Sequence, residues 1–234
     1  MVWRMPRALF PALFCGTVAN AHELRALQGI ATEIYLRSGQ SIFSEREPAD
    51  RVFGLSKGVV RLYTFADGRR QVLAFALPGD FLGMPLASLH RVSADAIGEV
   101  ALCQFSRDEL MKLIESSPNL MRLLIEFADR ELDMARDQLL LLGNGSAEKK
   151  VVMFLIGWRD RLARLSLSSE IVPLPMRRRD IADFLGLKLE TVSRTLAKLE
   201  QKNVIRIVPK GVSLTGAEQG FLSRQGPPGL KAEV

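Results

Sequence analysis

Three polar side chains near residue 190 have the types and the spacing that DNA recognition requires. Glu190, Ser193 and Arg194 lie at positions i, i+3 and i+4, so in a helix they share one face. An arginine can donate two hydrogen bonds to guanine O6 and N7, a glutamate can accept one from cytosine N4, and a serine can contact either kind of base edge. The three residues are therefore predicted to read base pairs.

The surrounding stretch, residues 174–200, contains two short amphipathic patterns that could present this face. Gly186 separates them, and each has an apolar stripe at helical spacing. The stripes consist of Ile181, Ala182 and Leu185 in the first segment and of Val192, Leu196 and Leu199 in the second. This arrangement indicates a helix-turn-helix with residues 189–202 as the recognition helix. An ordinary helical hairpin with solvated charges is the alternative interpretation.

A short hairpin is predicted directly after the recognition helix. Residues 204–208 and 212–214 are rich in valine and isoleucine, and the Pro-Lys-Gly sequence between them suits a tight turn. Residues 147–165, before the helix-turn-helix, carry apolar side chains at helical spacing. Together these elements predict a winged helix-turn-helix, with Lys210 at the tip of the wing near a backbone phosphate.

The charge of the chain fits a polyanionic partner. Its 234 residues carry a net charge of +6 and give a pI near 9.6, which alone does not distinguish nucleic acid from acidic lipid. The distribution favours DNA, because basic residues are concentrated in and beside the helix-turn-helix. The predicted phosphate contacts are Arg178, Lys188, Thr191, Lys198 and Lys210. Lys188 is also the expected N-cap residue, where an oxygen-bearing side chain is usual.

The first half of the chain has a different pattern, and the chain length favours two domains. From about residue 31 to residue 106, short apolar segments alternate with glycine-containing turns. Strands are predicted at 52–55, 59–65, 72–77 and 101–105, among others, with Gly58 and Gly98 as boundaries and Asp67-Gly68 as a hairpin turn. Such spacing predicts an antiparallel sandwich or roll, and with the C-terminal helices the fold class is α+β.

A long helical pattern over residues 107–142 follows the roll, with Ser106 and Glu109 as a predicted capping box. One face is an apolar seam with alternating spacings of four and three, formed by Met121, Ile125, Ala128, Leu132, Ala135, Leu139 and Leu142. A second strip, Leu120, Leu124 and Phe127, is predicted to pack on the roll. The seam is therefore predicted to pair with the same helix of a second subunit. Burial inside a single chain is the alternative, and residues 143–145 are a predicted hinge.

The chain ends and the cysteines limit the remaining options. Arg4 and Arg7 precede an apolar run over residues 8–18 that resembles a secretion signal, but prolines interrupt it and it is too short to span a bilayer. We interpret it as a flap on the first domain and expect a cytoplasmic protein without membrane partner. Cys15 and Cys103 are too few for a disulfide framework, an iron–sulfur cluster or a cysteine zinc site.

The order of these elements resembles the CRP/FNR superfamily of bacterial transcription regulators over nearly the whole chain. The matching motifs are Gly39-Gln40, Gly58, Asp67-Gly68 and PGDFLG at residues 78–83 in the roll, and ETVSR at residues 190–194. HRVSADA at residues 90–96 and the DFLGLKLETVSRTL run are most similar to FixK-type regulators. The resemblance implies a cyclic-nucleotide-binding-like jelly roll. We assign a flap to residues 1–24, a β-roll to 25–106, a dimerisation helix to 107–143, a winged helix-turn-helix domain to 144–222 and a disordered tail to 223–234.

For the matched positions, the resemblance implies specific roles. Glu190, Ser193 and Arg194 would read a half-site of the TTGAT type, and a homodimer would bind the inverted repeat TTGAT-N4-ATCAA. Leu189 replaces the arginine that CRP-type members have directly before this glutamate, which favours the FNR half-site. The family also implies RNA polymerase as a partner and, for FixK-type members, activation of genes for low-oxygen or nitrogen-oxide metabolism.

Departures from the family concern the ligand of the roll. Cyclic-nucleotide-binding members have a glutamate and an arginine at the positions of Met84 and Val92, and without the arginine a phosphate would be buried without a cation. We therefore expect no cyclic nucleotide, other cofactor or metal. One alternative is gating by a small molecule or by haem, for which His22 and His90 are the available histidines. Cys103 is a candidate redox thiol, although burial as a small apolar residue is the favoured interpretation.

A second alternative is a ligand-binding module or an enzyme that uses the roll. Catalysis needs a nucleophile, a base and an orienting group in a recognisable arrangement, and the sequence offers none, with two histidines in the whole chain. An enzyme is therefore not expected.

Overall fold

The computed structural model describes residues 20–84, 88–143, 145–165 and 170–224. The chain divides into two compact units, Met1–Met134 and Ala135–Val234. The first contains helix α1 (Ala21–Ile30), strands β1 (Ala31–Leu36), β2 (Ser41–Phe43), β3 (Arg51–Ala66), β4 (Arg69–Ala76), β5 (Phe81–Leu82) and β6 (Ser93–Ser106), and helix α2 (Arg107–Glu115). Helix α3 (Pro118–Leu142) begins in the first unit and ends in the second.

The strands of the first unit pair antiparallel in one sheet. Its order is β1-β6-β3-β4, with β2 paired to β6 and β5 paired to β3. Alternate side chains of the long strands β3 and β6 turn inward and form an apolar core that includes Phe53, Leu55, Val60, Ala96 and Leu102. This is the antiparallel roll that the strand pattern predicts.

Two predicted strands of the roll are one strand in the structure. Residues 52–55 and 59–65 both belong to β3, because Gly58 does not end the strand but lies within a bulge, with a φ of 92°. A Cβ atom at Gly58 would lie 2.4 Å from the carbonyl oxygen of Glu99, so only glycine fits there. Gly98 is likewise inside β6 and not at its edge.

Helix α1 is an element that the sequence analysis assigned in part to a flap. Asn20 caps it: its Oδ1 accepts from the backbone N–H of Glu23 at 2.9 Å, and Glu23 Oε2 accepts from the backbone N–H of Asn20 at 2.8 Å. Leu27 is fully buried against Val52, Phe105 and other residues of the first unit. The helix is therefore part of the core, and residues 1–19 lie outside the described residues.

The predicted long helix is divided into α2 and α3 by Ser116 and Ser117. Pro118 begins α3, which suits a residue with no backbone N–H at the first helical position. The predicted capping box at Ser106 is wrong, because the Ser106 side chain makes no capping hydrogen bond. Ser106 is still the last residue of β6, where it pairs with Arg51.

The second apolar strip of α3 packs on the first unit as predicted. Leu120 is buried, Leu124 is half-buried beside the same core, and the Phe127 ring meets the Phe81 ring edge-on with centroids 5.9 Å apart.

The second unit is built around helix α4 (Ala147–Arg164). Strand β7 (Ile171–Pro173), helices α5 (Arg178–Leu185) and α6 (Leu189–Gln201), strands β8 (Ile205–Val208) and β9 (Gly211–Leu214), and helix α7 (Glu218–Arg224) follow. The three strands form an antiparallel sheet in the order β7-β9-β8. Trp158 of α4 is buried and donates from Nε1 to the carbonyl oxygen of Pro173 at 2.8 Å, which ties α4 to this sheet.

Some predictions fall partly outside the described residues. Helix α7 includes Ser223 and Arg224, the first two residues of the predicted disordered tail, and residues 225–234 lie outside the described part of the chain. The same holds for Asn144 of the predicted hinge. Among the described helices, none combines the length and the apolar character that crossing a membrane requires.

Candidate nucleic-acid interface

The turn between α5 and α6 fixes the geometry of the helix-turn-helix. Gly186 ends α5 in the left-handed conformation, with a φ of 63°, and the backbone N–H of Leu187 donates to the carbonyl oxygen of Ala182 at 2.9 Å. Lys188 then returns to an extended conformation, and α6 begins at Leu189. The recognition helix therefore begins where the sequence predicts.

Apolar packing holds the two helices together. The two stripes predicted from the sequence are all buried: Ile181, Ala182, Leu185, Val192, Leu196 and Leu199. Burial of each large apolar side chain stabilises the unit by about 1.5–3 kcal/mol. Because this face of α6 faces the interior of the unit, its opposite face is available to a partner.

The three predicted base readers lie on that outer face of α6. Glu190 and Arg194 are exposed and Ser193 is half-buried. Arg194 makes one long contact along the helix, from Nε to the carbonyl oxygen of Glu190 at 3.4 Å. Glu190 is in the first turn, where a carboxylate is stabilised by the positive end of the helix dipole. The structure thus brings the three residues together on one turn.

The start of α6 is suited to a phosphate. Lys188 is the N-cap residue, and its side chain makes no capping hydrogen bond. The N–H groups of a first turn have no partner within the helix and point towards whatever lies beyond its N-terminus. Together with the Lys188 ammonium group, they form a surface that an anion can bind.

Two other predicted phosphate ligands lie at the surface of the same unit, and a third is only half-exposed. Arg178 is exposed in the first turn of α5, and Thr191 is half-buried in the first turn of α6. Lys210 is exposed at the turn between β8 and β9, with a φ of 67°. Its carbonyl oxygen accepts from the backbone N–H of Leu174 at 2.9 Å, so the segment after β7 holds the tip of the wing.

The wing is attached to the recognition helix and to β7. Glu200 Oε1 accepts from the backbone N–H of Ile207 at 2.8 Å. A Cβ atom at Gly211 would lie 2.4 Å from the carbonyl oxygen of Val172, so a glycine is required for the close approach of β7. Strand β7 was not predicted, although the run Ile171-Val172 before the helix-turn-helix is a weak β signal.

Lys198, a further predicted phosphate ligand, is paired with a carboxylate in this structure. Its ammonium group lies 2.5 Å from Oε1 of Glu148, a residue in the first turn of α4, and Lys202 lies 2.6 Å from Oε2 of the same carboxylate. Nothing in the sequence signals these pairs, because about 50 residues separate the partners. Glu148 is thus the residue of this site that sequence reasoning missed.

Met84 and Val92 lie at the two positions of the roll where the resemblance implies ligand-binding residues. Val92 packs against the apolar core of the roll, Met84 packs against the cluster next to α1, and the adjacent Arg91 is exposed. Apolar side chains therefore lie at the two positions where the resemblance implies a carboxylate and a cation. Within the described part of the chain, no three His, Cys, Asp or Glu side chains are grouped so as to hold a metal ion.

The histidines and the described cysteine are in different surroundings. His90 is buried, with its ring stacked on Phe43 at 3.9 Å between centroids, and burial followed by the nearby Arg107 lowers its pKa. His22 is exposed on α1. Cys103 is fully buried, and burial raises the pKa of its thiol to about 12. Because a thiolate is the reactive form, the structure argues against the redox role considered for Cys103 and favours packing.

Two family models match this chain. A cyclic nucleotide-binding domain matches residues 33–117, and a Crp-like helix-turn-helix domain matches residues 149–218. The nitrogen fixation regulation protein FixK of Bradyrhizobium diazoefficiens is 50% identical over 196 residues, which are 83% of each chain. The chain belongs to the CRP/FNR family of transcription regulators.

Further similarities agree with this membership. The transcriptional activatory protein AadR of Rhodopseudomonas palustris is 50% identical over 85% of this chain and 83% of its own. The structure of FixK2 from Bradyrhizobium japonicum superposes with a TM-score of 0.76 and 35% identity, over 86% of this chain and 100% of that one. The protein is therefore a FixK-like regulator that binds DNA through its helix-turn-helix, and it is not an enzyme.

Proposed function

We propose that this FixK-like regulator is a homodimeric transcriptional activator that reads an inverted repeat of the type TTGAT-N4-ATCAA. Glu190, Ser193 and Arg194 contact the base edges, and Arg178, Lys188, Thr191 and Lys210 contact the backbone. One observation carries this assignment: the three base readers lie together on one turn of α6, and Lys188 directly precedes this helix. Arg194 is the side chain for the guanine of the half-site, since arginine can donate to both O6 and N7.

The apolar seam of α3 supports the homodimer. Three of its large members are exposed in the single chain, at 62% for Ile125, 50% for Leu132 and 71% for Leu139, whereas Met121 and Leu142 are half-buried. Ala128 and Ala135 between them are exposed as well, and small residues allow two helices to approach closely. An exposed seam with this alternating spacing is the pattern of a coiled-coil interface. A twofold dimer also provides the two recognition helices that an inverted repeat requires.

Replacement of one seam residue tests the dimer. Leu139→Glu places a carboxylate in the interface of both subunits, and we expect it to weaken dimerisation by roughly 100-fold or more in sedimentation experiments. Leu140→Glu is the matched control, because Leu140 is equally exposed, at 73%, but lies outside the seam. If both variants remain dimers, the seam is not the interface.

The role in the cell follows from the resemblance to FixK-type regulators and from the activator name that AadR carries. We propose that the protein acts in the cytoplasm, where its DNA target lies, recruits RNA polymerase and activates genes of low-oxygen or nitrogen-oxide metabolism. It binds DNA without a cyclic nucleotide or an iron–sulfur cluster. Apolar side chains at the positions of Met84 and Val92 support the first part, and a chain with two cysteines cannot provide four cluster ligands.

A DNA-binding experiment tests the proposed function. The full chain, purified without additives, is titrated onto a fluorescent duplex that contains TTGAT-N4-ATCAA and onto duplexes with one half-site base pair exchanged. We expect tight binding to the first duplex and a loss of about 1–3 kcal/mol for each exchanged pair. Equal binding to all duplexes would refute the assigned site.

One observation favours a second candidate, a regulator gated by a small apolar molecule. The first unit contains a small apolar pocket that is open to solvent. It is lined by Leu27, Phe81, Met84, Leu110, Ile114, Leu120, Leu123, Leu124, Phe127 and Arg130. If the pure protein binds the duplex only after addition of a cell extract's small-molecule fraction, or if it carries a haem absorption band, the gated model replaces the ungated one.

A further inference from the structure

A single carboxylate of the second unit engages two cations of the recognition helix. Glu148 binds Lys198 through Oε1 and Lys202 through Oε2, at 2.5 and 2.6 Å. Its side chain is 13% exposed, so these pairs are shielded from solvent on the carboxylate side. The hydrogen bonds from Lys198 and then Lys202 hold the pKa of Glu148 below its usual range. The Glu148 carboxylate is therefore ionised at neutral pH.

The two lysines continue the line of the base readers along α6. Lys198 follows Arg194 by four residues and Lys202 follows Lys198 by four, and each step rotates the side chain by about 40° around the helix axis. Lys198 thus lies on the flank of the base-reading face, where a helix in the major groove passes the backbone. A lysine that reaches the backbone there can neutralise a phosphate.

Lys202 is held from a second side as well. Its Nζ lies 5.3 Å from the centroid of the Phe221 ring on α7, within the range of a cation–π interaction. The ammonium group therefore contacts both α4 and α7.

We propose that Glu148 is an internal competitor of the DNA backbone, whose carboxylate occupies Lys198 and Lys202 and keeps them from binding phosphates. This rests on the proposed function, since it places α6 in the major groove. Contacts to phosphates are sequence-independent and supply most of non-specific binding. Glu148 consequently limits the affinity of the regulator for DNA that lacks its site and makes binding less dependent on salt.

Glu148→Gln tests the proposal, because it keeps the shape of the side chain and removes its charge. Full-length wild type and variant are titrated onto a random-sequence duplex and onto the TTGAT-N4-ATCAA duplex at several salt concentrations. Each released lysine that binds a phosphate adds about 0.9 to the slope of log K against log salt. For the four lysines of a dimer, we expect a slope steeper by up to about 3.6, and binding of random DNA tighter by at least about tenfold at low salt.

Two further variants show where the effect originates. Asp160→Asn removes the same charge from the same helix, 12 residues and roughly 18 Å away from Glu148, and is expected to leave the slope near that of the wild type. Lys198→Ala and Lys202→Ala, added to the Glu148→Gln variant, should return the slope to the wild-type value or below it. Circular dichroism of each variant verifies that the fold is retained.

Three outcomes contradict the proposal. A Glu148→Gln slope equal to that of Asp160→Asn means that the two lysines do not reach phosphates when released. Weaker binding of the variant means that Glu148 orients the lysines towards DNA. A steep slope that survives the lysine substitutions means that the added cations are others.

The failure of this proposal can be distinguished from failure of the proposed function. If the wild type prefers TTGAT-N4-ATCAA and Glu148→Gln shows no steeper slope, the competitor role alone is wrong. If the wild type has no preference but the variant binds random DNA with a steeper slope, the competitor role stands and the proposed site is wrong.

Discussion

Arginine has opposite roles in the two units of this chain. In the roll, Arg61 is largely buried, forms an ion pair with Asp95 on the neighbouring strand β6 and has its guanidinium carbon 5.5 Å from the centroid of the Tyr63 ring. In the helix-turn-helix, Arg194 is exposed, with one long contact to the carbonyl oxygen of Glu190. The charge of Arg61 thus stabilises the fold, whereas the charge of Arg194 remains available to a partner.

The largest effect is expected when the buried arginine is removed. Arg61→Ala leaves the Asp95 carboxylate buried without its cation, and we expect the free energy of unfolding to fall by about 3 kcal/mol in urea titrations. Arg69→Ala, which removes an exposed arginine from the same sheet, should change it by less than about 0.5 kcal/mol. Arg61→Ala combined with Asp95→Ala should recover part of the loss. Equal effects of the Arg61 and Arg69 variants would contradict the internal role.

An intermediate effect is expected when the exposed arginine is removed. This effect concerns DNA binding and not the stability of the fold. Arg194→Ala should weaken binding to the TTGAT-N4-ATCAA duplex by about 1–3 kcal/mol per half-site and relax the preference at its guanine. The free energy of unfolding should remain within about 0.5 kcal/mol of the wild type. Titration of a duplex with the guanine exchanged separates lost recognition from lost charge. A variant that keeps its preference for guanine would show that another residue reads that base.

The smallest effect is expected at the wing. Lys210→Ala removes a cation that contacts the backbone, so it should weaken binding to every sequence by a similar factor and reduce the salt slope by about 0.9 for each subunit. Preference for the half-site should not change. If the variant instead loses preference at particular bases, the wing contributes to base reading and the division between reader and phosphate ligand is wrong.

The elements of the DNA-binding unit could be predicted because their patterns are local. The apolar stripes of α5 and α6 show helical spacing over one or two turns. Gly186 has the left-handed backbone of the turn between them, and two short apolar segments flank the turn of the wing. The apolar seam of α3, with its alternating spacings of four and three residues, can be read from the sequence for the same reason. Ile125, Leu132 and Leu139 of this seam are exposed on the single chain, while the neighbouring strip is packed.

The features that escaped prediction depend on contacts between distant residues or on competing patterns. The pairing of Glu148 with Lys198 and Lys202 joins helices far apart in the sequence, and charge counting cannot show which lysines are occupied. Helix α1 has a local signal, the Asn20 and Glu23 capping box, but the small residues around Asn20 also resemble a cleavage site. Gly58 indicated a strand end, whereas the close approach of the Glu99 carbonyl makes it a bulge.

The buried carboxylate of α1 connects three parts of the first unit. Glu23 Oε2 accepts from the cap of its own helix, and Oε1 accepts from Ser117 Oγ at 2.5 Å and from Asn119 at 3.3 Å, where α3 begins. The hydrogen bond from Ser117, followed by that from Asn20, lowers the pKa of Glu23. Its stabilising effect is therefore present above the ordinary carboxyl pKa and is lost as the pH falls through the lowered value. A chain shortened to begin at Ala31 would lose this anchor at any pH, so the N-terminal helix helps to determine how firmly the long helix is held at its start.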